Sequence, residues 1–348
     1  MPRIAVIPGD GIGKEVVAEA EKVLRALELD LELVRWPHGA DHFLETGVSI
    51  THAEVAELER DYDAILLGAL GDSRVASNVH ARDILLGLRF QLDLYINFRP
   101  VRLLDGRLTP LRDKGEQDIN FVIFRENTEG VYVGMGGTFK RGTPDEVAIQ
   151  EDVNTRKGVE RIIRAAFEFA RVQQIPCITL SDKANAMEHV GGLWRRTFAD
   201  VGTEYPDIEP EALYVDMLAM DLIRRPERYR VIVTGNLFGD ILSDLGAQLA
   251  GGLGLAASAN VHPGRTSLFE PVHGSAPDIA GQGIANPFGA ILSSALMLGH
   301  LGFLHEQERV EKAVRKAVQA RQATPDLGGG LSTAAAGDAV CRHLTGGA

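Results

Sequence analysis

Cysteine is nearly absent, with only Cys177 and Cys341 in 348 residues. They stand far apart and lie in no C-x-x-C. That argues against a disulfide framework or a zinc site and fits two free, buried thiols in a reducing, cytoplasmic setting. Long apolar runs are also missing. No stretch approaches the ~18 uninterrupted apolar residues that span a bilayer, so no membrane span is expected. No basic segment followed by an apolar one precedes the first strand pattern, so no signal peptide is expected. Positive charge is in deficit: 36 Lys and Arg face 48 Asp and Glu, a net charge of -12. An acidic surface argues against nucleic-acid or anionic-membrane partners. It leaves anionic substrates open, because local arginines can reverse the field in a cleft. No internal repeat and no low-complexity tract occurs.

What is present is ordinary globular composition, 45% hydrophobic and 24% charged, enough for a sizeable core and for two domains. Short β-type runs alternate with longer helical patterns. Strands are expected at Ile4–Ile7, Leu31–Val34, Ala64–Leu67, Phe121–Phe124, Cys177–Leu180, Ala212–Val215 and Val231–Thr234. Helices are expected at Lys14–Leu27, where Val16, Val17, Ala20, Val23, Leu24 and Leu27 make one face, at Val159–Val172, and from Ser332 to Leu344. This alternation predicts an α/β fold with a mostly parallel sheet. The Gly-rich, charged segment Val133–Val147 ends in a β-type run, Val147–Gln150, and reads as a surface loop or an arm pairing with a second subunit. Gly251–Pro263 reads as irregular.

Five motifs could carry chemistry. Pro8-Gly9-Asp10-Gly11-Ile12-Gly13 follows a strand and opens a helix, where glycines let the backbone turn and approach a ligand. Its spacing departs from the dinucleotide fingerprint, so a tight βα turn explains it equally well. Arg89, Arg99 and Arg125 form a trio near apolar segments. Planar guanidinium forks could bind two carboxylates, or each could serve a separate structural ion pair. In Leu237-Phe238-Gly239-Asp240-Ile241-Leu242-Ser243-Asp244, the two aspartates sit at i and i+4 on one helix face. Carboxylates so placed repel unless a cation lies between them, and hard oxygen ligands suit Mg²⁺ or Mn²⁺. Asp216, read as ending a strand, could supply a third ligand. A solvated acidic face is the alternative, against which the apolar neighbours Leu237, Ile241, Leu242 and Leu245 weigh. Ser181-Asp182-Lys183-Ala184-Asn185 follows an apolar strand, and a lysine there could act as a base or simply be exposed. Finally, Phe269-Glu270-Pro271-Val272-His273-Gly274-Ser275-Ala276-Pro277-Asp278-Ile279-Ala280-Gly281, followed by Ile284-Ala285-Asn286-Pro287, has the composition of a backbone-lined ligand loop or a structural Ω-loop. Asp278 could accept hydrogen bonds from ribose hydroxyls and would repel a 2′-phosphate, which favours NAD over NADP.

These pieces, in this order, resemble the isocitrate/isopropylmalate dehydrogenase family of β-decarboxylating dehydrogenases over essentially the whole chain. The most specific are the Asn-Leu-Phe-Gly-Asp-Ile-Leu-Ser-Asp and Glu-Pro-Val-His-Gly-Ser-Ala-Pro-Asp-Ile-Ala-Gly runs. The resemblance implies the family's own two-domain fold, isopropylmalate dehydrogenase-like and not Rossmann. A cofactor domain would comprise 1–100 and 250–348, a central domain 101–249, with the cleft between them. It implies a homodimer with shared sites. By position it makes Arg89, Arg99 and Arg125 the carboxylate binders and Asp240, Asp244 and the partner's Asp216 the metal ligands. Lys183, from the partner, helps deprotonate the hydroxyl, with Asn185 beside the substrate. Tyr132 protonates the enol. Ile12, Glu270, His273, Gly274, Ser275, Ala276, Asp278, Ile279 and Asn286 make the NAD site, and K⁺ is a further candidate ion. Leu85 and Leu86, on the helix before Arg89, resemble the positions that meet the substrate's γ-substituent and suit an aliphatic group. The expected reaction is NAD-dependent oxidative decarboxylation of a 2-hydroxy diacid, 3-isopropylmalate first. D-malate, tartrate, homoisocitrate and isocitrate are alternatives, because Arg82 stands where many isopropylmalate enzymes carry Glu and because Arg125-Glu126-Asn127-Thr128-Glu129-Gly130 resembles the isocitrate, homoisocitrate and tartrate branches. A non-catalytic regulatory subunit is disfavoured, since Lys183, Tyr132, Asp216, Asp240 and Asp244 are all intact.

Overall fold

The computed structural model describes residues 1–346. Among them the chain forms strands β1 (Arg3–Ile7), β2 (Glu32–Arg35), β3 (Ala64–Leu67), β4 (Ile96–Arg102), β5 (Asn120–Glu126), β6 (Gly136–Phe139), β7 (Val147–Gln150), β8 (Cys177–Asp182), β9 (Glu209–Tyr214), β10 (Val231–Thr234), β11 (Ala257–Val261) and β12 (Ser267–Pro271). The helices are α1 (Gly13–Ala26), α2 (Ala40–Thr46), α3 (His52–Asp61), α4 (Val79–Gln91), α5 (Arg156–Val172), α6 (Glu188–Gly202), α7 (Val215–Arg224), α8 (Asn236–Leu249), α9 (Phe288–His300), α10 (Leu304–Gln319) and α11 (Thr333–Thr345). No helix among the described residues is long and apolar enough to cross a membrane.

The chain divides into two compact units. The first holds Met1–Leu94, Arg99–Ile119 and the described residues from Ala247 on; the second holds Tyr95–Phe98 and Asn120–Gly246. In the first, β1 pairs in parallel with β2 and β3, β3 with β12, and β12 turns back antiparallel along β11. Its central strands β1 and β3 are apolar almost throughout and buried, as strands covered on both faces must be. The helix α1 turns Val16, Val17, Ala20, Val23 and Leu24 inward and packs on α9 and α11. In the second unit, β10 lies between β5 and β8, and β8 pairs with β9, all in parallel. There α5 buries Val159, Ile162, Ile163, Ala166, Phe167 and Ala170 and packs on α6 and β5. Its Thr155 cap accepts from Gly158 N.

The expected α/β class and mostly parallel pairing are present. Some local readings need correction. Gly251–Pro263 is not irregular throughout, because β11 runs through it. Asp216 does not end a strand. Strand β9 stops at Tyr214, and Asp216 lies in the first turn of α7, where a carboxylate favours the helix N-terminus. Glu270 sits inside β12 rather than in a loop. The two cysteines are free but half-buried, not buried. Strands β6 and β7 form a hairpin with Phe139 opposite Val147 and Gly137 opposite Ile149, and every residue of both strands is exposed.

Candidate active site

Strand β5 is buried from Phe121 to Glu126, and its register along β10 sets Arg125 opposite Thr234. Two residues later α8 begins, so Asn236 and Asp240 lie about one turn apart on the same helix face. Arg125 is 2% exposed. Its Nε and Nη2 donate to Asn236 Oδ1 at 3.0 and 2.8 Å, and its Nη1 donates to Asp240 Oδ1. The Tyr132 hydroxyl donates to the other oxygen of Asp240 at 2.9 Å. The Arg125 guanidinium lies 5.3 Å from the Tyr132 ring centroid. Gly239 makes this approach possible: a Cβ there would stand 2.6 Å from Arg125 Cβ and Cγ. Three of the predicted residues, Arg125, Tyr132 and Asp240, are therefore one cluster.

Asp240 is 38% accessible at its side chain and Asp244 is exposed. Two reachable carboxylates on one helix face are the hard donors that Mg²⁺ or Mn²⁺ takes, with water or substrate completing the shell. Asp216 does not join them. Among the described residues no set of three His, Cys, Asp or Glu groups is placed to hold a metal ion. Asp216 instead accepts a hydrogen bond from Lys183 Nζ, and this ammonium holds its carboxyl below the usual carboxylate range. Lys183 is half-buried in the turn after β8, where Ala186 N and Met187 N both donate to its carbonyl. Asn185 is exposed in the same turn.

The first unit carries the other predicted groups. Arg89, on α4, is 5% exposed and donates from Nη2 to Glu270 Oε1 at 2.9 Å; Asn260 Nδ2 donates to the same oxygen at 2.9 Å. Arg89 Nε is buried with no hydrogen-bond partner among the described residues, a cost unless an anion or water meets it. Arg99 is likewise buried, on β4. Leu85 is partly buried against the core cluster that includes Ile84 and Leu88, and Leu86 is half-buried. Arg82 is exposed and leans toward Asp83.

The segment after β12 closes on the first βα turn. Ile12 N donates to Ser275 O at 2.9 Å, and a Cβ on Gly11 would lie 2.1 Å from that oxygen, so only glycine fits there. Glu15 accepts from Gly281 N at 2.6 Å. Ala276 takes φ 39°, a strained value for a residue with a side chain. Burial pushes the His273 imidazole below its usual range, and its Nε2 is buried without a partner among the described residues. That orphaned ring nitrogen, the open space over Gly274 and the exposed Asp278 leave polar groups for a cofactor to meet. Asn286 differs: its amide donates to Asp326 and accepts from Phe288 N, so it shapes the loop.

Several residues escaped the sequence. Asp10, 2% exposed, accepts from Ala40 N at 2.7 Å, Gly71 N at 2.8 Å and His80 Nε2 at 2.8 Å, and so anchors the glycine turn. Glu126 accepts from Thr128 N, Thr128 Oγ1 and Glu129 N, folding the turn toward Tyr132; burial raises its pKa. Asn236 bridges Arg125 to that same turn. The sole sequence signal for these was position inside the motifs that also hold the predicted groups.

A sequence model of the family described as isocitrate/isopropylmalate dehydrogenase matches residues 3–340. A 3-isopropylmalate dehydrogenase of Thermobifida fusca is 48% identical over 98% of this chain and 97% of its own length. One from Streptomyces griseus is 50% identical over 89% and 90%. Among solved structures, an isocitrate dehydrogenase from Methylococcus capsulatus superposes with TM-score 0.91 at 39% identity, covering 99% of both chains.

Proposed function

Because the chain belongs to the isocitrate/isopropylmalate dehydrogenase family, we propose that it oxidises 3-isopropylmalate with NAD to 4-methyl-2-oxopentanoate, CO₂ and NADH, a step of leucine synthesis. The observation that carries this reading is the convergence of Arg125 and Tyr132 on the carboxylate of Asp240. It is one anion binder, one proton donor and one hard ligand in a single contact set. Relatives named for isopropylmalate, at about half identity over nearly their whole length, supply the substrate. Leu85 and Leu86 agree, since an aliphatic γ-substituent suits them and a third carboxylate does not.

Arg89, Arg99 and Arg125 bind and orient the substrate carboxylates; the unpartnered Nε of Arg89 has a donor to spare for one. Asp240 and Asp244 would hold the divalent cation. A bound cation would supply stabilisation of negative charge on the substrate hydroxyl oxygen, and a bound nicotinamide would supply the hydride acceptor. Lys183 Nζ receives the hydroxyl proton, directly or through water. Tyr132 delivers a proton to carbon after CO₂ leaves, and its hydrogen bond to Asp240 fixes the phenol for that transfer. His273, Gly274, Ser275, Ala276, Asp278 and Ile279 line the NAD site, with Ile12 fixing Ser275 through its backbone.

The working unit is a pair of identical chains. On α7, Met217, Met220 and Ile223 are 49%, 58% and 52% exposed, and on α8 Leu237 and Ile241 are 40% and 58% exposed. So much apolar surface on two helices needs a covering partner. The exposed hairpin of β6 and β7 is marginal alone and needs one too. In such a pair Lys183 and Asp216 of one copy serve the site of the other, which accounts for Asp216 standing apart from Asp240 and Asp244 within one chain.

The test is NADH formation at 340 nm with a panel of 2-hydroxy diacids, with and without Mg²⁺. Isopropylmalate should give the highest kcat/KM, and chelation should abolish turnover. A preference for D-malate, tartrate or isocitrate would overturn the substrate; Leu85→Arg should cut isopropylmalate use in either case.

A further inference from the structure

Asn236 opens α8 and uses both ends of its side-chain amide. It is 4% exposed, and its side-chain hydrogen bonds run to Arg125 and to the turn before Tyr132. Its Oδ1 takes two N–H groups of Arg125, at 3.0 and 2.8 Å. Its Nδ2 donates to Glu129 O at 2.8 Å, in the turn that leads to Tyr132. That turn closes tightly on it: a Cβ on Gly130 would come 3.1 Å from Asn236 Cβ. The amide is thus a bracket between the cation and the segment carrying the phenol, and both of those reach Asp240.

The chemistry of the amide matters as well as its place. Down one face of α8 the series at i, i+4 and i+8 reads Asn236, Asp240, Asp244. Only the first member, the one holding two N–H groups of Arg125, is neutral. A carboxylate there would accept the same hydrogen bonds but would cancel part of the positive field that Arg125 offers a substrate anion. It would also lose the donor to Glu129 O. We propose that Asn236 is a positioning residue for this reaction. It fixes the plane of Arg125 and the approach of Tyr132 with a neutral acceptor, keeping the guanidinium charge available to the diacid. This rests on the reading that Arg125 binds a substrate carboxylate.

The experiment compares Asn236→Asp, Asn236→Ala and Arg125→Gln by steady-state kinetics, with malonate as a non-reacting dicarboxylate competitor. Asn236→Asp keeps the acceptor, so it should fold, with an unchanged circular-dichroism spectrum. Its diacid KM and malonate Ki should rise together by about 10- to 100-fold, in line with losing charge-assisted binding. The KM for NAD should stay within about twofold, since that site is built from other residues. Asn236→Ala should show the same split with a larger fall in kcat, because Arg125 and Tyr132 both lose their bracket. A purely structural role would lower the melting temperature and leave the diacid-to-NAD KM ratio unmoved. If Arg125→Gln raises diacid KM while Asn236→Asp leaves KM and malonate Ki unchanged, the proposal for Asn236 fails alone. If Arg125→Gln leaves both unchanged, the carboxylate role of Arg125 is wrong and the proposal falls with it.

Discussion

Arg89 and Lys183 each meet a carboxylate, in different units and in opposite settings. Arg89 and Glu270 are closed in, with side chains 6% and 11% accessible, and Asn260 completes the set. Lys183 and Asp216 lie open, 30% and 54% accessible. The first pair belongs to a network built within one chain. Breaking such a pair strands a buried charge. The second is an open contact of a kind that adds little to folding. In the proposed reaction its groups can therefore exchange each other for substrate at small cost. The surroundings follow the same division: near Asp216 the helix α7 exposes Met217 and Met220, whereas Glu270 sits in a strand buried throughout.

The contrast can be broken from either side. The largest effect should come from Lys183→Met. Loss of the proton acceptor should lower kcat by about 10²–10⁴-fold with little change in thermal midpoint; a large loss of stability would mean the open pair is structural after all. Next, Glu270→Ala should leave Arg89 unpaired and cost about 3–5 kcal/mol in urea unfolding, while Asp216→Ala should leave the unfolding midpoint where it is. Equal midpoints for the two variants would erase the distinction. Third, Ile241→Asp should weaken self-association at least about tenfold, read by sedimentation, and activity should fall with the loss of paired chains. A fully active monomer would refute the idea that Lys183 serves a second copy. The smallest effect concerns His273. Its pKa is depressed below the ordinary 6.5 by burial, so the folded state resists protonation. Above that value neither state takes a proton and nothing is lost. Below it the unfolded chain binds a proton first, so stability declines as pH falls from there toward the depressed value. His273→Gln should flatten that slope in unfolding measured across this window, and parallel slopes would exclude the assignment.

Much of the fold could be read from short apolar runs. Ala64–Leu67 and Val231–Thr234 have the same limits in the sequence and in the structure, because fully buried parallel strands leave an uninterrupted apolar signature. The faces of α1 and α5 were equally plain from their spacing. Strand β11 was not, because Ala257, Ser258, Ala259 and Asn260 carry no strong β preference; pairing along β12 makes them a strand. The types of the site residues were legible too, since carboxylates at i and i+4 or an arginine on an apolar strand ask for partners. The partners themselves were not. Glu270 lies 181 positions from Arg89, and no periodicity reaches that far. Asn236 and Glu126 hide for another reason: each is an ordinary polar residue whose importance comes only from which donors the fold turns toward it.

If the chains pair as proposed, the hairpin of β6 and β7 also ties the enzyme to its own abundance. All its residues are exposed within one chain, so in the proposed pair the hairpin would draw its order from association, which follows mass action. Dilution should therefore loosen this segment first, while the packed sheets stay intact. Lys140 and Arg141, exposed where the two strands turn, give trypsin a place to register it: nicking there should rise as concentration drops, well before the rest of the chain opens.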